Sequence, residues 1–157
     1  MIEQGQALPN VVLTELTTDG MKNHQVSELF ADKKVVLFAV PGAFTPTCSA
    51  AHLPGYVVLA DQIKAKGVDI IACVSVNDAF VMKAWGEAHN ASELMMLGDG
   101  DAAFTKAIGL DKETGSFGGV RSQRYAMIID NGVVTELAVE AAGEFEVSKA
   151  ESILEKL

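Results

Sequence analysis

The sequence predicts an α/β domain in which a central mixed sheet is flanked by helices. Two continuous apolar runs, at residues 35–40 and 69–76, have the length and composition of buried strands. Each is followed by a segment that we interpret as a helix, which is typical of a layered α/β domain. Further along, an Asn-Gly pair at residues 131–132 lies between apolar runs at 123–129 and 133–139. This pattern predicts an antiparallel hairpin.

The N-terminal part contains short predicted elements. A strand is expected around residues 11–13, and the Thr-Asp-Gly triplet at residues 18–20 favours a turn. A short helix near residues 26–30 leads to the first buried strand. That strand is followed by a proline-containing loop and by a helix that runs to about Lys66 and ends at Gly67.

The middle of the chain contains a proline inside a predicted helix and a predicted helix cap. Pro54 lies inside the helix that ends at Gly67, so we expect a kink or a local bulge one turn after Cys48. After the second buried strand, the Asn-Asp pair at residues 77–78 favours capping of a helix that runs to about His89.

The remaining elements complete the predicted fold. They are a short strand at residues 94–97, a helix near residues 102–108, the hairpin, and a closing helix over roughly residues 147–157. This order of strands and helices is the thioredoxin-like arrangement. With no internal repeat and no linker-like stretch, we expect one domain over residues 1–157.

Composition excludes several classes of function. The formal net charge of −9 argues against nucleic acid or an anionic membrane surface as a partner. No apolar run approaches the roughly 20 residues that cross a bilayer, and no secretory pattern is visible, so we expect a cytoplasmic protein. The two cysteines form no Cys-x-x-Cys pair and the three histidines have no metal-ligand spacing. We therefore expect no metal and no cofactor.

Cys48 lies where a buried strand ends and a helix begins. The unpaired N–H groups and the positive dipole end of a helix favour an anion, and a thiolate is an anion. A reactive cysteine suits this position, although a buried and inert cysteine is an equally good interpretation of the position alone. Cys73, inside the second apolar strand, is expected to be buried and inert.

A nucleophilic Cys48 needs neighbours that hold a substrate and stabilise charge. The hydroxyl of Thr45, three residues earlier, can turn toward the thiolate, or it can make a local turn hydrogen bond. Pro41 can shield the sulfur, or it can simply stiffen the loop. His52, four residues after Cys48, can pair with the thiolate or pack locally.

A cation near the thiolate is harder to assign from residues alone. The chain has only two arginines, Arg121 and Arg124. Arg124 opens an apolar strand, from which its planar fork can reach over the end of the sheet and hold two oxygens and a thiolate. A surface arginine at a strand end is the more ordinary interpretation, and the residues alone favour it.

Five segments together resemble a known family. They are Pro-Gly-Ala-Phe-Thr-Pro-Thr-Cys-Ser at 41–49, His-Leu-Pro-Gly-Tyr at 52–56, Val-Ser-Val-Asn-Asp-Ala-Phe-Val at 74–81, Ala-Trp-Gly at 84–86 and Arg-Tyr-Ala-Met at 124–127. The first resembles the active-site signature of the peroxiredoxins, and the whole set is similar to the peroxiredoxin 5 (type II) subfamily. The resemblance covers nearly the whole chain.

The resemblance implies a thiol-dependent peroxidase that reduces hydrogen peroxide and organic hydroperoxides. The Cys48 thiolate would attack the terminal oxygen and become sulfenic acid. Thr45, Arg124 and backbone N–H groups at the helix start would hold the peroxide oxygens as the O–O bond breaks. Pro41 would limit access and protect the sulfenic acid from over-oxidation. These four residues are the expected catalytic set.

The chain departs from part of the family, because the region at residues 139–146 lacks the second cysteine that some members carry. We therefore expect a one-cysteine mechanism in which an external thiol, glutathione with glutaredoxin or thioredoxin, reduces the sulfenic acid. Relatives in the subfamily often form homodimers near the active-site end. Phe44, Phe80 and Trp85 are candidates for that contact, or they are ordinary core residues.

Two other functions remain compatible with a reactive thiol. One is a peroxide-sensing or chaperone-like redox domain, which turnover with a reductant would distinguish from an enzyme. The other is an acyl-transfer enzyme that uses Cys48 with His52. It is the weaker hypothesis, because no third polar residue that would orient the histidine is marked in the sequence.

Overall fold

The computed structural model describes residues 1–157, and its elements follow from the apolar runs and turn residues of the sequence. The strands are β1 (Val12–Thr17), β2 (Gly20–Gln25), β3 (Lys34–Ala39), β4 (Ile70–Ser75), β5 (Met95–Gly98), β6 (Asp111–Glu113), β7 (Val120–Ser122), β8 (Tyr125–Asp130) and β9 (Val133–Val139). The α-helices are α1 (Val26–Leu29), α2 (Leu53–Ala65), α3 (Ala79–Ala88), α4 (Ala103–Ala107) and α5 (Ala150–Leu154). A π-helical turn covers Cys48–His52, and a 3₁₀ turn covers Gly115–Phe117.

Seven strands form one mixed sheet in the order β2-β1-β5-β4-β3-β8-β9, and β6 pairs with β7 separately. β4 is parallel to both β3 and β5, whereas β8 runs antiparallel to β3. Helices α2, α3 and α5 pack on one face of the sheet, and α1 and α4 pack on the other. The predicted thioredoxin-like fold, a central mixed sheet flanked by helices, is confirmed.

The central strand β3 explains why the core has two halves. Its residues alternate between the faces: Val36 and Phe38 join the cluster under α2, while Val35 and Leu37 join the cluster under α4. All four side chains are completely buried. A strand that is covered on both faces has to be apolar throughout, and this is the pattern that revealed it in the sequence.

The hairpin between β8 and β9 turns where it was predicted. Asn131 and Gly132 have φ angles of +48° and +78°. A type I′ turn needs positive φ at both central residues, and Asn-Gly meets that need with little strain. The pairing of Asp130 with Val133 closes the turn.

Pro54 is accommodated by the predicted local bulge. The chain forms a π-helical turn over Cys48–His52 before α2 begins at Leu53. Pro54 is therefore the second residue of α2, and the wider π-helical turn before it takes up the distortion that a proline causes inside a helical segment. The distortion begins at the reactive-thiol candidate itself, Cys48.

Some elements differ from the sequence-based expectation. β2, β6 and β7 were not predicted. β2 and β6 are largely exposed and carry no apolar alternation, and β7 is only three residues long. The closing helix α5 is shorter than the expected 147–157. None of the helices is both long enough and apolar enough to cross a membrane.

Candidate active site

Cys48 and Arg124 meet at one end of the sheet. The loop after β3 leads to Cys48, and Ala39 near the end of β3 pairs with Tyr125 at the start of β8. Because β3 and β8 are antiparallel, Arg124 lies beside the loop that carries Cys48. The Cys48 sulfur is completely buried, and it accepts a hydrogen bond from Arg124 Nη2 at 3.1 Å. The surface-arginine interpretation is wrong.

The guanidinium of Arg124 is fixed by a second contact. Its Nη1 donates to Nδ1 of His52 at 2.8 Å, and its central carbon lies 5.9 Å from the ring centre of Phe145. The planar fork thus joins the sulfur to the imidazole through two different nitrogens. His52 contacts Arg124 and not Cys48, so a thiolate–imidazole pair is not formed.

His52 is buried and neutral. Burial, with a smaller contribution from the positive charge of Arg124, lowers the pKa of His52 to about 3. Its Nε2 lies 3.1 Å from the backbone oxygen of Ser148. Nε2 must therefore carry the proton that is donated to this carbonyl, which leaves Nδ1 as the acceptor for Arg124.

We expect His52 to destabilise the fold as the pH falls. The folded pKa of about 3 lies below the unfolded value of about 6.5. Between these values the unfolded chain binds one more proton, so the free energy of unfolding decreases by about 1.4 kcal/mol for each unit of lowered pH. Urea unfolding can measure this effect. Between pH 7 and pH 5, the free energy of unfolding should fall by about 2 kcal/mol more in the wild type than in His52→Gln. Equal losses in both proteins would contradict the prediction.

The segment of residues 140–148, here called the 140–148 loop, is closed by one carboxylate. Glu140 Oε2 accepts hydrogen bonds from the backbone N–H of Glu146 at 2.8 Å, the N–H of Ser148 at 2.8 Å and the Ser148 hydroxyl at 2.6 Å. Burial alone would raise the pKa of Glu140, but these hydrogen bonds outweigh it and lower the pKa. The Ser148 oxygen that faces His52 also accepts from the Tyr56 hydroxyl at 2.8 Å.

In the sequence, the 140–148 loop was considered only for its lack of a second cysteine. Its functional contact is Phe145, whose ring lies 5.1 Å from His52 and also faces Arg124. Glu140 is 92 residues away from Cys48 in sequence, and no motif connects the two. The Glu140 N–H donates to the Arg124 carbonyl at 3.0 Å, and this bond adds to the contacts of Ser148 and Phe145 in bringing the loop to the site.

Thr45 lies in the loop before Cys48 and makes the local turn bond. Its hydroxyl donates to the carbonyl of Gly42 at 2.6 Å. The acceptor lone pairs of that hydroxyl remain available to another donor. The backbone N–H groups of Thr47 and Cys48 make no backbone hydrogen bond, as expected at a helix start.

Asn77 braces this loop from the neighbouring strand. Its Oδ1 accepts from the backbone N–H of Ala43 at 3.1 Å and from the Ser75 hydroxyl at 2.7 Å. The cap of α3 that was predicted from the Asn77-Asp78 pair is provided by Asp78, which accepts from the N–H of Val81 at 2.8 Å. The carboxyl end of β4 thereby fixes the loop that leads to Cys48.

A cavity of about 400 Å³ opens next to this cluster. Pro41, Thr47, Arg124, Glu140 and Phe145 are part of its wall. Pro41 and Arg124 thus face the same space, as expected for residues that act on one substrate. Cys48 lies behind them and has no exposed surface.

Cys73 is completely buried in β4, as predicted. It belongs to the same core cluster as Cys48, and both thiols are free. Burial raises the pKa of Cys73 well above its usual value, and the proximity of Cys48 adds to this effect. Cys73 therefore stays protonated and unreactive at neutral pH.

The three aromatic residues considered for a dimer contact fall into two groups. Phe44 and Phe80 are 56% and 64% exposed, whereas Trp85 has no exposed surface. Trp85 is wrong as a contact residue: it packs in the core, and its Nε1 donates to the Ser49 hydroxyl at 3.0 Å. This bond places the indole next to the turn that carries Cys48.

Comparison with known proteins gives a consistent result. The family model described as Redoxin matches residues 3–154. Peroxiredoxin-2E-2, chloroplastic, of Oryza sativa subsp. japonica is 49% identical over 165 residues, an alignment that covers 99% of this chain and 72% of the relative.

Solved structures are similar over the whole fold. The crystal structure of reduced Prx3 in complex with hydrogen peroxide from Vibrio vulnificus has 74% sequence identity and a TM-score of 0.98, and the match covers 99% of both chains. Peroxiredoxin 5 from Alvinella pompejana has 33% identity and a TM-score of 0.86, with 98% of this chain and 96% of that chain covered.

Proposed function

The chain belongs to the peroxiredoxin family and is a thiol peroxidase, and from this premise we propose that it is a one-cysteine member of the peroxiredoxin 5 (type II) subfamily. Its substrates would be hydrogen peroxide and organic hydroperoxides. The active-site segment at residues 41–49 and the similarity to peroxiredoxin 5 from Alvinella pompejana support the subfamily. The burial of Cys73 supports the one-cysteine mechanism.

The main observation in support of this proposal is the hydrogen bond of 3.1 Å between Arg124 Nη2 and Cys48 Sγ. The Cys48 thiolate attacks the terminal oxygen of a hydroperoxide, so an S–O bond forms while the O–O bond breaks. The leaving oxygen takes up a proton and departs as water or an alcohol. Arg124 stabilises negative charge first on the sulfur and then on the leaving oxygen, because its position is fixed before the reaction begins.

Thr45 and Pro41 complete the proposed catalytic set. Since the Thr45 hydroxyl donates to Gly42, it is oriented to accept the hydrogen bond of the hydroperoxide O–H. The free N–H groups at the start of the Cys48 turn can donate to the peroxide oxygens. Pro41 lines the cavity without an N–H of its own, so it limits the approach of water and of a second peroxide to the sulfenic acid.

The second half of the cycle requires a thiol from outside the chain. Cys73 is the only other cysteine, and its thiol is protonated and enclosed in the sheet. Glutathione with glutaredoxin, or thioredoxin, would attack the Cys48 sulfenic acid. A mixed disulfide then forms and the oxygen leaves as water, and a second thiol releases Cys48 in its reduced form.

Mass spectrometry after one equivalent of hydrogen peroxide should find a single added oxygen atom on Cys48 and none on Cys73. Cys73→Ser should keep the turnover of the wild type with glutathione and glutaredoxin, or with thioredoxin, whereas Cys48→Ser should abolish it. Detection of an intramolecular Cys48–Cys73 disulfide would contradict the one-cysteine mechanism. An unmodified Cys48 after exposure to peroxide would overturn the proposed role of this residue.

We also propose a cytoplasmic homodimer of one-domain subunits that each comprise residues 1–157. The exposed rings of Phe44 and Phe80, near the active-site end, support a contact there. Sedimentation at micromolar concentration should give the mass of a dimer for the wild type and a lower mass for Phe44→Ser/Phe80→Ser.

The alternatives to a peroxidase have little support from the site. Acyl transfer would need His52 as the base for Cys48, but His52 binds Arg124 instead. A sensor or chaperone-like domain would have the same thiol, and it would be oxidised once without turnover in the presence of reductant.

A further inference from the structure

The cavity beside Arg124 is far larger than a hydrogen peroxide molecule requires. Its volume is about 400 Å³, whereas a water molecule in the liquid occupies about 30 Å³ and pockets for small organic ligands begin at roughly 300 Å³. A second and larger reactant can therefore occupy the space beside Arg124, whose guanidinium contacts the sulfur of Cys48.

The wall of the cavity carries one free cation and one free anion at its exposed part. Lys112 on β6 and Glu144 in the 140–148 loop are both exposed, and neither forms an ion pair. Lys112 is a local positive charge on a chain with a net charge of −9. Opposite charges on different elements of a cavity wall are complementary to a zwitterion.

We propose that this cavity binds the reducing thiol directly, and that the thiol is a zwitterionic small molecule of the glutathione class. Lys112 receives a carboxylate of the thiol, and Glu144 receives its ammonium group. This assignment rests on the proposed one-cysteine mechanism, in which an external thiol reduces Cys48.

The reaction in the cavity is a thiol–sulfenic acid condensation. The sulfur of the bound thiol attacks the Cys48 sulfur, so an S–S bond forms and the S–O bond breaks. The oxygen leaves as water with the proton of the thiol, so the incoming sulfur is oxidised and the Cys48 sulfur is reduced. Thr47, which precedes Cys48 in the chain, and Arg124, which donates to its sulfur, both line the cavity. Rearrangement of the π-helical turn would bring the buried sulfur to that wall.

The test separates the two half-reactions. Protein oxidised with one equivalent of hydrogen peroxide is mixed with glutathione, 3-mercaptopropionate or 2-mercaptoethanol, and Trp85 fluorescence follows the return to the reduced state, with mass spectrometry to identify the mixed disulfide. The variants are Lys112→Gln and Glu144→Gln. Lys106→Gln, an exposed lysine outside the cavity, is the matched control.

Each variant has a distinct expected effect. Lys112→Gln should slow the reaction with glutathione and 3-mercaptopropionate about threefold to fivefold, as expected for the loss of one exposed charge pair, and should leave 2-mercaptoethanol unchanged. Glu144→Gln should lower the ratio of the glutathione rate to the 3-mercaptopropionate rate. Lys106→Gln should match the wild type with all three thiols, and no variant should alter the preceding oxidation by hydrogen peroxide.

Three results would overturn the inference while the proposed peroxidase mechanism stands. One is an unchanged glutathione rate in Lys112→Gln, and another is an equal loss with 2-mercaptoethanol. The third is a loss confined to oxidation by carboxylate-bearing hydroperoxides, which would assign the cavity to a large substrate instead. Failure of wild-type Cys48 to be oxidised by hydrogen peroxide would instead refute the proposed function itself.

Discussion

Arg124→Ala is expected to slow the oxidation of Cys48 by hydrogen peroxide about 100-fold to 1000-fold. Arg124 is the only charged donor in contact with the sulfur, and removal of one preorganised donor to a developing anion typically costs about 2.7–4 kcal/mol of transition-state stabilisation. Stopped-flow fluorescence can follow the reaction, because Trp85 is bonded to Ser49 beside the reacting residue.

Arg124→Lys is the informative companion variant. Lysine keeps the charge but lacks the planar fork that contacts His52 and Cys48 at once. We expect a rate between those of the wild type and Arg124→Ala. Cys48→Ser should give no fluorescence change at all, which identifies the signal. If Arg124→Ala reacts within threefold of the wild type, Arg124 does not stabilise the transition state.

Glu140→Ala is expected to lower the free energy of unfolding by about 3 kcal/mol, since it removes the carboxylate that accepts three hydrogen bonds in the 140–148 loop. The effect should extend to catalysis. The carbonyl of Ser148 orients His52, and His52 orients Arg124. A small displacement of a catalytic group can reduce a rate greatly, so we expect peroxide to react about tenfold more slowly.

The isosteric variant Glu140→Gln separates position from stability. Its amide oxygen can still accept from Ser148, although without the added strength of a charged acceptor. We expect a loss of about 1 kcal/mol in the free energy of unfolding and a peroxide rate close to that of the wild type. Urea unfolding and stopped-flow oxidation measure the two effects. Equal oxidation rates in folded Glu140→Ala and Glu140→Gln would show that Glu140 does not position Arg124.

The fold was predictable where burial determines the residue type. The apolar strands β3 and β4 and the Asn131-Gly132 turn each carry a local pattern that their environment demands. β2 and β6 carry none, because pairing with a neighbouring strand defines them and their side chains are mostly exposed. Backbone pairing does not require particular residue types at exposed positions, so the sequence of such a strand does not predict it.

Most residues of the proposed site could be named from the sequence, but the contacts between them could not. The position of Cys48 between a strand and a helix indicated a possible reactive thiol. For Arg124, the residues alone favoured a surface position, and only the family resemblance predicted a catalytic role. The orientation of His52 toward Arg124 depends on Ser148, which is 96 residues away. Contacts at such separations arise from the whole fold, and sequence spacing does not encode them.

The antiparallel register of β3 and β8 has a consequence for the folding of the molecule. Arg124 lies 76 residues after Cys48, and it reaches the sulfur only when β8 has added to β3 with Ala39 opposite Tyr125. Pairings at such sequence separation form slowly, since the entropy of closing the intervening chain opposes them. A slip by one residue would direct Arg124 to the opposite face of the sheet. In a chain that has not finished folding, or is still being synthesised, Cys48 is therefore an ordinary thiol, and the contact with Arg124 that we propose to make it react with peroxide exists only in the completed protein.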